Sequence, residues 1–231
     1  MAIFSAHDSL HTVLPTPWVR ETTGCDYVTI SATQPGRPRD PDVDRRVADA
    51  AVALFGEAGW AGFSMEAVAR RAGVGKASIY LRWQAKEDLL AEALRQRIGM
   101  IADVDTGTLR DDLIQLARQV LDLYLGSAGK AALRLALDGD LIPGLAERLS
   151  ALRTSQVRAA RGIVHRGIDR GEIPAGTSVT LLLDTLAGGA TTHVQATPAD
   201  LRPALRANTT QYAEQLVDFL LAAVESSQPG G

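Results

Sequence analysis

Phe63-Ser-Met-Glu-Ala-Val-Ala-Arg-Arg-Ala-Gly-Val-Gly-Lys-Ala-Ser-Ile-Tyr-Leu-Arg-Trp83 is the stretch on which the fold turns. Ser64 has the chemistry of a helix N-cap, with Glu66 in the first turn behind it. Met65, Val68, Ala69 and Ala72 recur at helical spacing and make one apolar stripe on a short helix. Gly73 breaks that helix, and Gly75 can cap the next, predicted from Lys76 to about Arg82. The turn Ala72-Gly73-Val74-Gly75 is short enough to hold the two helices at a steep angle and to present the second to a DNA major groove. Ala69 and Ala72 are small enough for a close crossing, and Val74 and Ile79 are spaced to enter one core. Lys76, Ala77, Ser78, Tyr80 and Arg82 are then left for the other faces.

Before this motif, Val47, Ala50, Ala51, Leu54, Phe55 and Ala58 form one stripe on a helix of about residues 42–58, with Asp40, Asp42 and Asp44 at its positive end and Gly59 as its stop. After it, Ala85 or Lys86 begins a fourth helix through about Ala102, with Leu89, Leu90, Ala93, Leu94 and Ile98 inward. Further helices are predicted at 109–125, 128–137, 143–170, 177–195 and 200–224, with Pro143 in the first turn of the longest. Residues 1–36, rich in Thr, Ser, Pro and Gly, read as a disordered extension or as sequence ahead of a natural start at Arg37, and 226–231 read as a polar tail.

Composition sets the class. Hydrophobic residues make up 46% and aromatics 5%, with Ala and Leu prominent and β-branched runs rare, which predicts an all-α protein with a sizeable core. The net charge of −3 argues against a protein that simply coats DNA. The charge is uneven, however: residues 37–99 carry 11 Lys/Arg against 9 Asp/Glu, whereas residues 100–231 carry 12 against 15. The potential that favours phosphate thus lies in the first third. The lone Cys25 permits no internal disulfide, and the sequence has neither a secretory start nor a membrane-length apolar run, so a cytoplasmic protein is expected. The four histidines lack metal-ligand spacing, and HExxH, GxxxxGK and GxGxxG are missing, so no enzyme, metal or cofactor is expected.

Phe55 with Gly59, Ser64, Val68-Ala69, Ala72-Gly73-Val74, Ile79-Tyr80, Trp83 and Lys86-Glu87-Asp88-Leu89-Leu90 together resemble the TetR family of repressors over about residues 37–99. Gly75 departs from the family's usual Ser at the cap of the recognition helix. The resemblance implies an N-terminal three-helix helix-turn-helix head (residues 37–84) on a C-terminal helical bundle for ligand binding and dimerisation (residues 85–225). Lys76 and Ser78 are expected to reach base edges, and Ala77 a thymine methyl. Tyr80 looks like the family's phosphate-bonding tyrosine. Lys86, at a helix N-terminus, is expected to clamp a phosphate, as is Ser64 with its backbone amide. Arg82 is expected on base or backbone, Trp83 between the head and the fourth helix, and Arg70 and Arg71 on a solvated face. Arg37 and Arg39, extended by Pro38, suit a narrow minor groove.

The resemblance further implies a homodimer through the last two helices, which would set two heads on a palindromic double-stranded operator. Leu181, Leu182, Leu183, Leu216, Phe219 and Leu220 supply the apolar surface expected for that pairing. The other rear helices would enclose a pocket for a small-molecule inducer, its lining unassigned beyond the conceivable Tyr124, His165, His193, Asp138 and Asp184. The run of Arg148, Arg153, Arg158, Arg161, Arg166 and Arg170 reads as a wet helix face opposite a stripe of Val157, Ala160, Val164 and Ile168. The function expected is a repressor released by its inducer; an activator or a protein-binding adaptor on the same fold is the alternative.

Overall fold

The first helix is bounded by acidic charge at one end and by a glycine at the other. The computed structural model describes residues 41–98 and 104–226, and among them it contains ten α-helices, one 3₁₀ turn and no strand. α1 (Pro41–Ala58) opens with Asp42 and Asp44 in its first turn and ends where Gly59 turns left-handed at φ 66°. Val47, Ala50, Ala51 and Phe55 are buried as the stripe predicts, and Ala58 at its end is exposed. A second buried row, Ala48, Val52 and Gly56, was not legible as a stripe. It exists because α1 packs on more than one side, against α2 (Met65–Ala72), α4 (Lys86–Arg97) and α6 (Gly129–Asp138). At Gly56 a Cβ would sit 3.0 Å from the Ala131 amide nitrogen, so α6 crosses close enough that a larger residue would push it back by a few tenths of an ångström.

The first core gathers Phe55, Phe63, Val68, Ile79, Leu89, Leu90 and Leu94, and continues through Ala128, Ala131 and Ala132 to Leu145 and Leu149. Phe63 meets Phe55 edge-on at 6.5 Å and stacks on Trp60 at 5.8 Å. α4 is thus built into the core of the head, and the 84/85 boundary falls inside one packed cluster. The second core joins α5 (Leu109–Leu125), α7 (Leu145–Asp169), α8 (Val179–Ala196) and α10 (Thr209–Ser226) around Leu113, Leu121, Ile163, Leu186 and Val217. Tyr124 packs against both cores.

Several expectations are corrected in detail. α4 stops at Arg97, with Ile98 extended, rather than running to Ala102; residues 99–103 lie outside the described part. Past α6 the chain continues through a 3₁₀ turn at Gly139–Leu141, and α7 starts at Leu145 behind a left-handed Gly144, leaving Pro143 ahead of the helix. The predicted last helix is two: α9 (Arg202–Ala207) and α10, parted at Asn208, whose side-chain amide donates to the Ala204 carbonyl. Val157 is exposed at 58%, whereas Ala160, Ile163 and Val164 are buried. The arginines of α7 are not a uniformly wet face. Arg148 pairs with Asp88 of α4 at 2.8 Å, and Arg170 reaches Asp105, Asp112 and Glu172. Arg37, Arg39 and the proposed extension and tail lie outside the described residues, except that Ser226 closes α10.

Candidate nucleic-acid interface

The interface begins with two cap residues. The Ser64 hydroxyl accepts from the Ala67 amide at 3.2 Å and fixes the start of α2. Gly73 ends α2 at φ 65°, ψ 38°, and the Val74 amide donates back to the Ala69 carbonyl at 3.0 Å. Nothing lies within 4 Å of a Cβ placed on Gly73, so the backbone torsion, not crowding, is what calls for glycine there. Gly75 then caps α3 (Lys76–Tyr80) without a side-chain bond.

Of α3, Ile79 is fully buried and Val74 just before it is half-buried against the same core. Lys76, Ala77 and Tyr80 are exposed, and Ser78 is half-buried. One apolar anchor therefore holds α3 to the head, while its polar side chains stay on the surface. Tyr80, 49% exposed, donates its hydroxyl to the Glu66 carboxylate on α2. That bond raises the pKa of the Tyr80 hydroxyl and lowers that of Glu66.

Lys86, the first residue of α4, sits with its ammonium 3.7 Å from the centre of the Trp60 ring and 3.5 Å from the Phe63 carbonyl it donates to. Its charge is thereby held beside Ser64, so these two expected phosphate contacts share one corner of the head. Arg82, expected on base or backbone, is held within the head. Its guanidinium pairs with Asp44 of α1 at 3.0 Å and donates to the Ser78 carbonyl at 3.1 Å, which ties α3 to α1. Arg70 and Arg71 both lie on the exposed face, where Arg71 makes a two-point bridge to Glu57 at 2.6 and 2.8 Å. Trp83 is half-buried on the head core. Trp60, Glu66 and Asp44 were not singled out as partners from sequence. Each meets a partner from another element, where linear spacing gives no signal.

Residues 47–93 match the model of the "bacterial regulatory proteins, tetR family", and residues 103–223 match that of the "tetracyclin repressor-like, C-terminal domain". The chain belongs to the TetR family. It is similar to the HTH-type transcriptional regulator AqdR of Rhodococcus erythropolis, 32% identical over 144 residues that cover 62% of this chain and 70% of that one. It is also similar to the fatty acid metabolism regulator protein of Bacillus subtilis, 26% identical over 62% of this chain and 77% of that one. Among solved structures, MexZ, described as a key repressor responsible for antibiotic resistance in Pseudomonas aeruginosa, superimposes with a TM-score of 0.63 at 24% identity over 81% of this chain and 97% of that one. FadR from Bacillus subtilis, solved with stearoyl-CoA, gives 0.58 at 22% identity over 77% and 97%. This TetR-family chain is thus a helix-turn-helix, DNA-binding transcriptional regulator, and its relatives are regulators rather than enzymes.

Behind the head, a cavity of about 480 Å³ opens between the end of α4, α5, α7 and α8, with Arg97, Ile98, Gln119, Leu123, Tyr124 and Gln156 in its wall. Of the conceivable polar liners only Tyr124 is there. His165 and Asp184 are exposed, Asp138 pairs with Arg134 at 3.7 Å, and His193 stacks on Tyr212 at 3.7 Å. Arg97, unmarked from sequence, belongs both to this wall and to α1, where it pairs with Asp49 at 2.9 Å and donates to the Arg45 carbonyl at 3.2 Å. On the far side, α8 and α10 leave an apolar groove of about 650 Å³ between Leu181, Thr185, Phe219, Ala223 and Val224, with Leu181 and Phe219 67% and 71% exposed. Among the described residues no helix is long and apolar enough to cross a membrane, and no group of three His, Cys, Asp or Glu could hold a metal.

Proposed function

We propose that this TetR-family regulator is a cytoplasmic repressor that binds a palindromic operator as a homodimer and leaves it when a small molecule occupies the cavity behind the head. The observation that carries the reading is α3 itself, anchored by the buried Ile79 with Lys76, Ala77 and Tyr80 on the surface and Ser78 at its edge. Residues 37–84 form the reading module and 85–225 the sensing and pairing module, with α4 shared between their packing. Lys76 and Ser78 read base edges, and Ala77 contacts a thymine methyl. Tyr80 donates to a phosphate. Lys86 and Ser64 clamp a second phosphate from two helix N-termini. Arg37 and Arg39 reach a minor groove ahead of α1. Arg82 contributes by holding α3 on Asp44, and reaches DNA only if that pair opens.

The exposed apolar faces of α8 and α10 support pairing there, and reading successive turns of one face of the duplex would require the two α3 helices about 34–36 Å apart. The size and largely apolar wall of the α4–α8 cavity support a small ligand with an apolar body. Arg97 supplies the link to the head. A ligand that moves it disturbs its ties to Asp49 and Arg45, and with them the angle of α1 to α4. Selection of bound duplexes from random DNA with the purified protein tests the DNA reading. The expected product is an inverted repeat bound by two chains. Recovery of DNA without a common sequence would contradict sequence-specific regulation.

A further inference from the structure

Tyr80 has one hydroxyl proton, and within the head that proton is already committed. The phenol donates to the Oε1 atom of Glu66, the second residue of α2. A tyrosine hydroxyl is a single donor with acceptor lone pairs. While the bond to Glu66 lasts, the oxygen offers only lone pairs to an approaching phosphate, which is itself an acceptor.

We propose that Glu66 competes with the DNA backbone for the Tyr80 hydroxyl proton, and thereby limits how much Tyr80 contributes to operator binding. The proposal rests on the reading of Tyr80 as a phosphate donor. Several features of the head support it. Tyr80 is the last residue of α3 and 49% exposed, so its hydroxyl is accessible from solvent without unfolding the helix. Glu66 is half-buried at the first turn of α2, where the helix dipole favours its charged form and the Ser64 cap fixes its backbone. Lys76 adds a favourable charge on the carboxylate from the other end of α3. The raised Tyr80 and lowered Glu66 pKa values both keep the pair as phenol and carboxylate near neutral pH.

Redirecting the phenol's hydrogen bond from a carboxylate acceptor to a phosphate acceptor replaces one charge-assisted hydrogen bond by another, so its net effect on affinity is small. With the carboxylate gone, the same hydroxyl exchanges water for phosphate, and its whole contribution appears in binding. Glu66 therefore restrains a contact that carries no sequence information, which shifts the balance of binding towards the base-reading residues.

The test is a double-mutant cycle on the duplex obtained by selection from random DNA. Dissociation constants are measured by fluorescence anisotropy at one salt concentration for the wild type, Tyr80→Phe, Glu66→Ala and the double variant. The repulsion of DNA by the Glu66 charge acts equally on Tyr and Phe proteins, so it cancels from the ratio of their affinities. The expected weakening by Tyr80→Phe is about twofold or less with Glu66 present and about tenfold in the Glu66→Ala background, the size of one charge-assisted hydrogen bond. Equal weakening in both backgrounds leaves Tyr80 as a phosphate donor and overturns the competition. No weakening in either background overturns the phosphate-donor reading, and the competition with it. A larger effect with Glu66 present than in the Glu66→Ala background means that Glu66 orients the tyrosine for DNA and also overturns the proposal. If circular dichroism shows that Glu66→Ala loses helix, Glu66→Gln takes its place, and the Tyr80→Phe effect must still exceed that seen with Glu66.

Discussion

Lys86 shows how much a single side chain in the head can be asked to do. Its ammonium is pre-placed by the Trp60 ring and the Phe63 carbonyl beside the capped start of α2, so little side-chain freedom would remain to be lost in the proposed phosphate contact. Lys86→Ala is expected to weaken binding to every duplex alike and to lower the slope of log affinity against log salt by about one ion. Lys76→Ala, on an exposed α3 position, is expected instead to change which sequences are preferred; selections run with each variant in parallel separate the two effects. At this scale the sequence was readable where a residue acts on its own neighbours. Ser64 as a cap, Gly73 as a left-handed stop and Ile79 as an anchor all follow from local chemistry. The pairs Arg82–Asp44 and Tyr80–Glu66 were unreadable because each closes across a helix crossing whose angle no spacing encodes.

α2 is an eight-residue helix, too short to persist alone, and its place depends on what ties it down. One tie is its buried row of Met65, Val68, Ala69 and Ala72; another is the Arg71–Glu57 bridge to α1. The hydrogen bond from Arg71, with its charge, holds the Glu57 carboxyl below the usual range. A depressed folded-state pKa means that the bridge contributes above the unfolded-state pKa of the carboxyl and that its contribution fades as pH falls through the folded value. Glu57→Gln is therefore expected to flatten the acid side of a stability-versus-pH curve from urea titrations, while costing little at neutral pH because the pair is exposed. Gly73→Ala has open space for its methyl group but the wrong sign of φ, so a loss of about 1–2 kcal/mol is expected, seen as a lower urea midpoint with an unchanged m-value. Helix existence and most boundaries were legible in the apolar period. What escaped was packing on a second face, as with Ala48 and Val52 of α1, and the break at Asn208 inside an unbroken helical pattern.

At the scale of the molecule, two cores meet at Tyr124, a cavity lies beside that junction, and an apolar groove faces outward from α8 and α10. Pairing through that groove is expected to be lost in Phe219→Glu, which puts a charge on a 71% exposed apolar position. Sedimentation velocity should then show a monomer with the helical content of the wild type, and DNA affinity should fall because two linked heads become one. A dimer that survives this change would move the interface elsewhere. Apolar residues on α8 and α10 were visible in the sequence, but which of them turn outward depends on the packing of α5 against both helices.

The proposed operator binding requires α3 to enter a major groove in each of two half-sites. Methylation interference on the selected duplex tests this most directly, because guanine N7 lies on the major-groove edge that Lys76 and Ser78 are assigned to read. The predicted result is loss of binding on N7 methylation in two symmetry-related clusters about one helical turn apart, with the cluster pattern altered by Lys76→Ala. Undiminished binding to fully methylated duplex would contradict it.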